Sequence, residues 1–261
     1  MSHIREEVGT AGGVSFPYLK GGQGRPLLFL HSLVGEFDWH PFVESLSRDH
    51  TVYAPLQPGF EGPDRLGRID SIDDLVFHYV DLLDALKLDA PIIVGASTGG
   101  WLAAELAVHY PSRVERLILI DAAGLYVEGS AREDIFAANF AATRRLLFAG
   151  SESAVARNYF PDLPQGEALD RILNFRQAIA RIGWNPYLYN PKLKERLYRI
   201  TAPTLVIWGE GDRLFGREHG DAFEAGIAGA KIKLVDAAGH LPHLESPEAT
   251  LHLVGEFLTS R

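Results

Sequence analysis

Six short runs of the chain are apolar at nearly every position: PLLFLHS at 26–32, TVYAP at 51–55, APIIVGAS at 90–97, RLILID at 116–121, TLVIWGEGD at 204–212 and KIKLVDAAGH at 231–240. A strand with one wet face alternates apolar and polar residues, whereas a strand covered on both faces does not. The runs therefore predict parallel strands, and the helical patterns between them predict helices on either side of one central sheet. Ser71, followed three residues later by Asp74, predicts the capped start of one such helix, with Leu75, Tyr79, Leu82 and Leu86 along its inner face. Ser246, Pro247 and Glu248 predict the start of the last helix in the same way. Residues 4–20 predict a β-hairpin at the sheet edge.

The strand–helix rhythm breaks between residues 125 and 200, where AREDIFAANFAATRRLLFA (131–149) and QGEALDRILNFRQAIARIG (165–183) read as helices and the aromatic stretch GWNPYLYNPKL (183–193) follows. So long a connection with its own helical pattern is not a plain loop. The expected organisation is a core domain of residues 1–124 and 201–261 with a helical cap, 125–200, inserted into it. This segment carries 11 Arg and Lys against 8 Asp and Glu, in a chain whose net charge is -9. A solvated arginine-rich surface and an entrance that attracts anions both fit that excess.

The acidic balance argues against nucleic acid or an anionic membrane as a partner and leaves a small molecule as the expected one. Without any cysteine, disulfides, thiolate catalysis and cysteine-bound metals are excluded. The segment MSHIREEVGT has no apolar run of the kind a secretory signal needs, and no stretch of about 18 apolar residues occurs, so a cytoplasmic protein is expected.

Chemistry enters at Gly95-Ala96-Ser97-Thr98-Gly99, a G-x-S-x-G sequence at the seam between a strand and a helix. A turn that sharp strains the serine backbone, needs small residues two before and two after, and presents Ser97 Oγ as an exposed hydroxyl above the sheet. The Thr98 N–H, at the start of the helix, points to the same spot and can hold a carbonyl oxygen. A hydroxyl becomes a useful nucleophile only beside a base whose tautomer is held by an acid. His240 and Asp212 each follow a predicted strand, so both leave the strand ends at which Ser97 stands. His243 rivals His240 as the base, and Asp121 and Glu210 rival Asp212 as the acid. An imidazole base implies activity that is lost on acidification, because the protonated ring cannot accept the serine proton.

With these residues, and with LLFLHS, PGF at 58–60, RLILIDAAG and AAGHLPHLESPE, nearly the whole chain resembles the α/β-hydrolase family, in particular its capped esterases and carbon–carbon bond hydrolases. The resemblance implies an α/β-hydrolase fold, a mostly parallel central sheet flanked by helices with an inserted helical cap, and a second oxyanion N–H at Leu33. It also implies that His31 braces that loop, and that His31, Trp184, Tyr187 and Tyr189 border the substrate pocket. Three features depart from the pattern: Ser32 stands where glycine is usual, Pro55-Leu56-Gln57-Pro58-Gly59 lacks the aspartate of the D-x-P-G loop, and Ala96 and Thr98 replace histidine and methionine at the elbow. A side chain at Ser32 threatens the shape of the oxyanion loop.

The expected function is a serine hydrolase that cleaves a carboxylic ester of a small or medium acyl substrate, with no cofactor and no metal. Hydrolysis of a carbon–carbon bond in a vinylogous diketone is the alternative within enzymes. A ligand receptor built on the same fold is the alternative outside them.

Overall fold

The computed structural model describes residues 4–62, 67, 69–130 and 133–260. Its eight strands are β1 (Arg5–Ala11), β2 (Val14–Gly21), β3 (Arg25–Leu30), β4 (His50–Pro55), β5 (Ile92–Ala96), β6 (Arg116–Ile120), β7 (Thr204–Gly209) and β8 (Lys231–Val235). They form one sheet in the order β1-β2-β4-β3-β5-β6-β7-β8. The β1–β2 hairpin is antiparallel, as is its attachment to β4, and every other pairing is parallel. The edge hairpin and the mostly parallel sheet are as the patterning predicts.

The connecting helices are α1 (Pro41–Leu46), α2 (Ile72–Ala85), α3 (Thr98–His109), α4 (Phe140–Leu147), α5 (Ala154–Tyr159), α6 (Glu167–Gly183), α7 (Leu193–Arg196), α8 (Arg217–Gly226), α9 (Pro242–Glu245) and α10 (Pro247–Thr259). Side chains alternate across each strand and so feed two cores. Leu27, Phe29, Ile92, Val94, Ile118, Ile120 and Ile207 pack with residues of α1 and α10, while Leu28, Leu30, Ile93, Leu117, Leu119 and Trp208 pack with those of α2, α3 and α8. All five residues of β5 are buried, as expected for a central strand. α3 is buried from Thr98 to Val108, which explains why its sequence is apolar around most of its circumference and why the one acid in it, Glu105, is conspicuous.

Three local expectations need correction. β8 lies at the sheet edge and alternates, with Lys231 and Lys233 exposed, so it is not covered on both faces. The helix expected over 131–149 starts only at Phe140. Asp134 Oδ1 accepts the N–H groups of Phe136 and Ala137, and Asn139 Oδ1 caps α4 through the Ala142 N–H, so short polar side chains divert the backbone from a continuous helix. Residues 131 and 132 lie outside the described residues. Finally, Ser246 opens α10 without a side-chain cap, because its backbone (ψ 58°) still closes α9 rather than extending away from α10.

Ser71 behaves as predicted: its Oγ accepts the Asp74 N–H at 3.1 Å and donates to the Asp74 carboxylate at 2.6 Å. Among the described residues no helix is long and apolar enough to cross a membrane. Ser71→Ala is expected to cost about 1 kcal/mol of stability, read as a lower urea midpoint with an unchanged denaturant slope. An unchanged midpoint would mean that the cap contributes nothing here.

Candidate active site

The elbow is made by steric exclusion. A Cβ on Gly95 would lie 2.4 Å from Gly99 O, one on Gly99 would lie 2.2 Å from Leu30 O and 2.5 Å from His31 O, and one on Gly100 would lie 2.6 Å from Ala122 Cβ. Only glycine lets strand, helix and neighbouring strand approach this closely. Between them Ser97 takes φ 52° and ψ -116°, a left-handed backbone that costs a non-glycine residue about 1–3 kcal/mol. Hydrogen bonds from Ser97 N to Ile120 O (2.8 Å) and from Ala123 N to Ser97 O (3.1 Å) hold it there.

Ser97 Oγ–H donates to His240 Nε2 at 2.7 Å, and His240 Nδ1–H donates to Asp212 Oδ2 at 2.8 Å. The donor and acceptor roles follow from the carboxylate, which can only accept when ionised and so fixes the tautomer. The other oxygen of Asp212 accepts from the N–H groups of Leu214 (2.8 Å) and Phe215 (3.1 Å), so the acid is anchored by its own turn. The Phe215 ring stands edge-on to His240 at 5.5 Å.

Of the rivals, His243 and Glu210 are placed elsewhere, while Asp121 has a carboxylate oxygen within 4.8 Å of Asp212 and His240. His243 Nε2 pairs with Glu36 Oε1 at 2.9 Å, and Glu210 is exposed. Asp121 is buried behind Asp212, with Oδ1 accepting the Gly209 N–H at 2.9 Å. Burial first, and then the Asp212 charge, push its carboxyl well above the ordinary range and favour its neutral form.

The loop after β3 is knitted by side chains. His31 Nδ1–H donates to Ser32 O (2.8 Å) and its Nε2 accepts the Gln57 N–H (2.9 Å), while the Gln57 amide donates to His31 O (2.9 Å). His31 is thus the expected brace. Ser32 does not crowd the loop, because its N–H and Oγ–H are both turned onto Glu36, at 2.8 and 2.7 Å. Neither the Leu33 N–H nor the Thr98 N–H has a hydrogen-bond partner among the described residues.

Glu36, Gln57 and Glu245 carry structural weight that the motifs did not reveal. Glu245 accepts N–H groups from Gly239 (2.7 Å), beside His240, and from Ala149 (3.0 Å) and Gly150 (2.9 Å) in the segment between β6 and β7. The trace that Glu36 and Gln57 leave in the sequence is an acid or amide in an otherwise apolar or glycine-bearing loop, and Glu245 leaves none among its polar neighbours.

The exposure expected of Ser97 is corrected, and the four expected pocket residues lie in different places. Ser97 and His240 are fully buried, so the serine is not an exposed hydroxyl; the chain packs over it. His31 is enclosed within its loop, and Tyr189 pairs with the Tyr126 ring at 5.3 Å. Trp184 and Tyr187 line a surface cavity of about 390 Å³ with Glu133, Asp134 and Phe136, which no triad residue lines. Tyr187 is held there because its hydroxyl donates to Glu133 O and accepts from the Ile135 N–H.

Beneath the loop lies a buried charged cluster. Burial alone would raise the Glu36 carboxyl, but the hydrogen bond and charge of His243, with His31 and the Ser32 hydroxyl, outweigh it and hold the group well below the usual range. His40 stands edge-on to His243, has no partner at either ring nitrogen among the described residues, and is pushed down to about 3 by burial and then by His243. In the unfolded chain a histidine takes a proton below about pH 6.5, which the folded His40 refuses, so stability is lost as the pH drops through that window. His40→Phe is therefore expected to shrink the gap between urea midpoints at about pH 7 and about pH 5. An equal gap in both proteins would contradict the assignment.

Residues 27–253 match the family model described as Alpha/beta hydrolase family. The 2-hydroxy-6-oxo-2,4-heptadienoate hydrolase of Pseudomonas putida is 27% identical, with 100% of this chain and 99% of that protein covered. A monoacylglycerol lipase of Homo sapiens is 28% identical over 91% of this chain and 78% of its own length. Among solved structures, a meta-cleavage product hydrolase of Pseudomonas fluorescens superposes with a TM-score of 0.79 over 97% of both chains, at 24% identity.

Proposed function

We propose that this chain, which belongs to the alpha/beta hydrolase family, is a serine hydrolase that cleaves a carboxylic ester of small or medium acyl size. The observation that carries this reading is the unbroken hydrogen-bonded chain from Ser97 through His240 to Asp212, at 2.7 and 2.8 Å. In it Ser97 Oγ attacks the carbonyl carbon while its proton passes to His240 Nε2. Asp212 stabilises the imidazolium that forms, and the N–H groups of Leu33 and Thr98 receive the oxyanion. Collapse of the tetrahedral intermediate breaks the bond to the leaving oxygen, which takes the proton from His240 and departs as an alcohol. Water then attacks the acyl-serine with His240 again as base, releasing the acid and restoring Ser97.

Residues 125–200 act as the cap. Ser97 and His240 have no exposed surface, and the Glu245 carboxylate ties this segment to the His240 loop.

A second reading is hydrolysis of a carbon–carbon bond beside a ketone. It is favoured by relatives named as hydrolases of 2-hydroxy-6-oxo-2,4-heptadienoate and 2-hydroxymuconate semialdehyde, 27% and 28% identical over 100% and 95% of this chain. The same triad serves both reactions, so substrate panels separate them.

Assay of p-nitrophenyl esters from acetate to long chains, beside a 2-hydroxy-6-oxo-dienoate, is expected to show turnover on short or medium esters. Ser97→Ala should lose several orders of magnitude in kcat while unfolding at the wild-type temperature or above, since it removes one hydroxyl. Turnover confined to the dienoate would replace the ester reading, and full activity in Ser97→Ala would overturn both.

A further inference from the structure

Away from the triad, on the C-terminal half of α3, two buried polar atoms face each other without a partner. Glu105 has no exposed side-chain surface, and its Oε1 accepts from Trp101 Nε1–H (3.1 Å) and from the Asn190 side-chain amide (2.8 Å). Its Oε2 lies 3.8 Å from His109 Nε2, one turn further along the helix, and neither atom has a hydrogen-bond partner among the described residues. Leaving one such acceptor unsatisfied costs about 1–3 kcal/mol. A carboxylate oxygen of Asp73, in the first turn of α2, completes a set of three ligand atoms within 4.8 Å of one another.

The geometry points to a binding site for a divalent transition-metal ion, zinc foremost, held by Asp73, Glu105 and His109. Zinc bonds to imidazole nitrogen at about 2.0–2.1 Å and to carboxylate oxygen at about 2.0–2.2 Å, so two ligands of one ion stand roughly 3–4 Å apart. The 3.8 Å separation is too long for a hydrogen bond and falls within that range. One imidazole and two carboxylates suit zinc or a similar ion better than calcium, which takes six or more oxygens.

Trp101 and Asn190 already hold Glu105 Oε1, and such outer partners are what orient a ligating carboxylate. Asn190 also belongs to the stretch that returns from the 125–200 segment, and its N–H donates to Gly124 O at 3.0 Å. An ion here therefore pins α2 to α3 and, through Glu105, to the base of that segment. The site is built from residues outside the proposed triad and stands whether or not Ser97 is a nucleophile.

The test is zinc chloride added to chelator-treated protein, followed by calorimetry, elemental analysis after dialysis, and thermal unfolding. The expected result is one zinc per chain and a melting temperature that rises with zinc concentration. His109→Ala and Asp73→Asn each change a side chain at or near the surface, and each should fold without zinc yet bind it more than about tenfold more weakly. No uptake by the wild type would overturn the site and leave a water bridging Glu105 and His109. Undiminished affinity in either variant would also overturn it, because the ion would then be elsewhere, for instance at Asp121, Asp212 and His240.

Discussion

The approach of the elbow backbone to the neighbouring strand sets the whole site. With Gly99 against Leu30 O and His31 O, and Gly95 against Gly99 O, no side chain fits between β5, α3 and the end of β3. That contact forces Ser97 into its left-handed backbone and also brings the loop beginning at His31 beside the start of α3. The nucleophile candidate and both candidate oxyanion donors are thus positioned by one packing constraint. The strain at Ser97 is sustained by a central strand and a helix buried along nearly all its length, where there is little room to relax.

Around this rigid centre, the irregular loops at the strand ends lack a sheet ladder to hold them, and buried or half-buried acids do that work instead. Glu36 gathers Ser32 and His243 and so links the loop after β3 to the turn that follows His240. Glu245 gathers Gly239, Ala149 and Gly150. Asp212 is fixed by the N–H groups of its own turn before it meets His240. Each carboxylate satisfies several donors at once, which is the condition under which a buried charge is tolerated. Breaking one of these clusters would loosen two loops rather than one.

Much of this architecture was legible in the chain. Regular elements announce themselves by periodicity, so the strand positions, the edge hairpin, the cap of α2 and the extent of α6 were readable. Ser97, Asp212 and His240 were readable because each stands in the turn or loop that follows a strand, and strand ends in a parallel sheet share one edge. The role of Ser32 was not, since it depends on Glu36 four residues later and on a histidine more than two hundred residues away. Tyr187 and Trp184 read as pocket residues only through the family resemblance, and where an aromatic side chain points depends on the helix it packs against, which the sequence pattern does not give. The late start of α4 was hidden because Asp134 and Asn139 act locally against an otherwise helical pattern. The buried Glu105 and its partly exposed neighbour His109 were equally silent, because an i,i+4 acid and histidine pair is ordinary on a solvated helix and unusual only once most of α3 is known to be enclosed.

The most direct test of the central claim is covalent labelling with a fluorophosphonate, read by intact mass and by mapping of the modified peptide. One label per chain on Ser97, absent from Ser97→Ala, is the result that the geometry predicts. Failure of the wild type to take a label, or a label on another residue with Ser97 untouched, would contradict it.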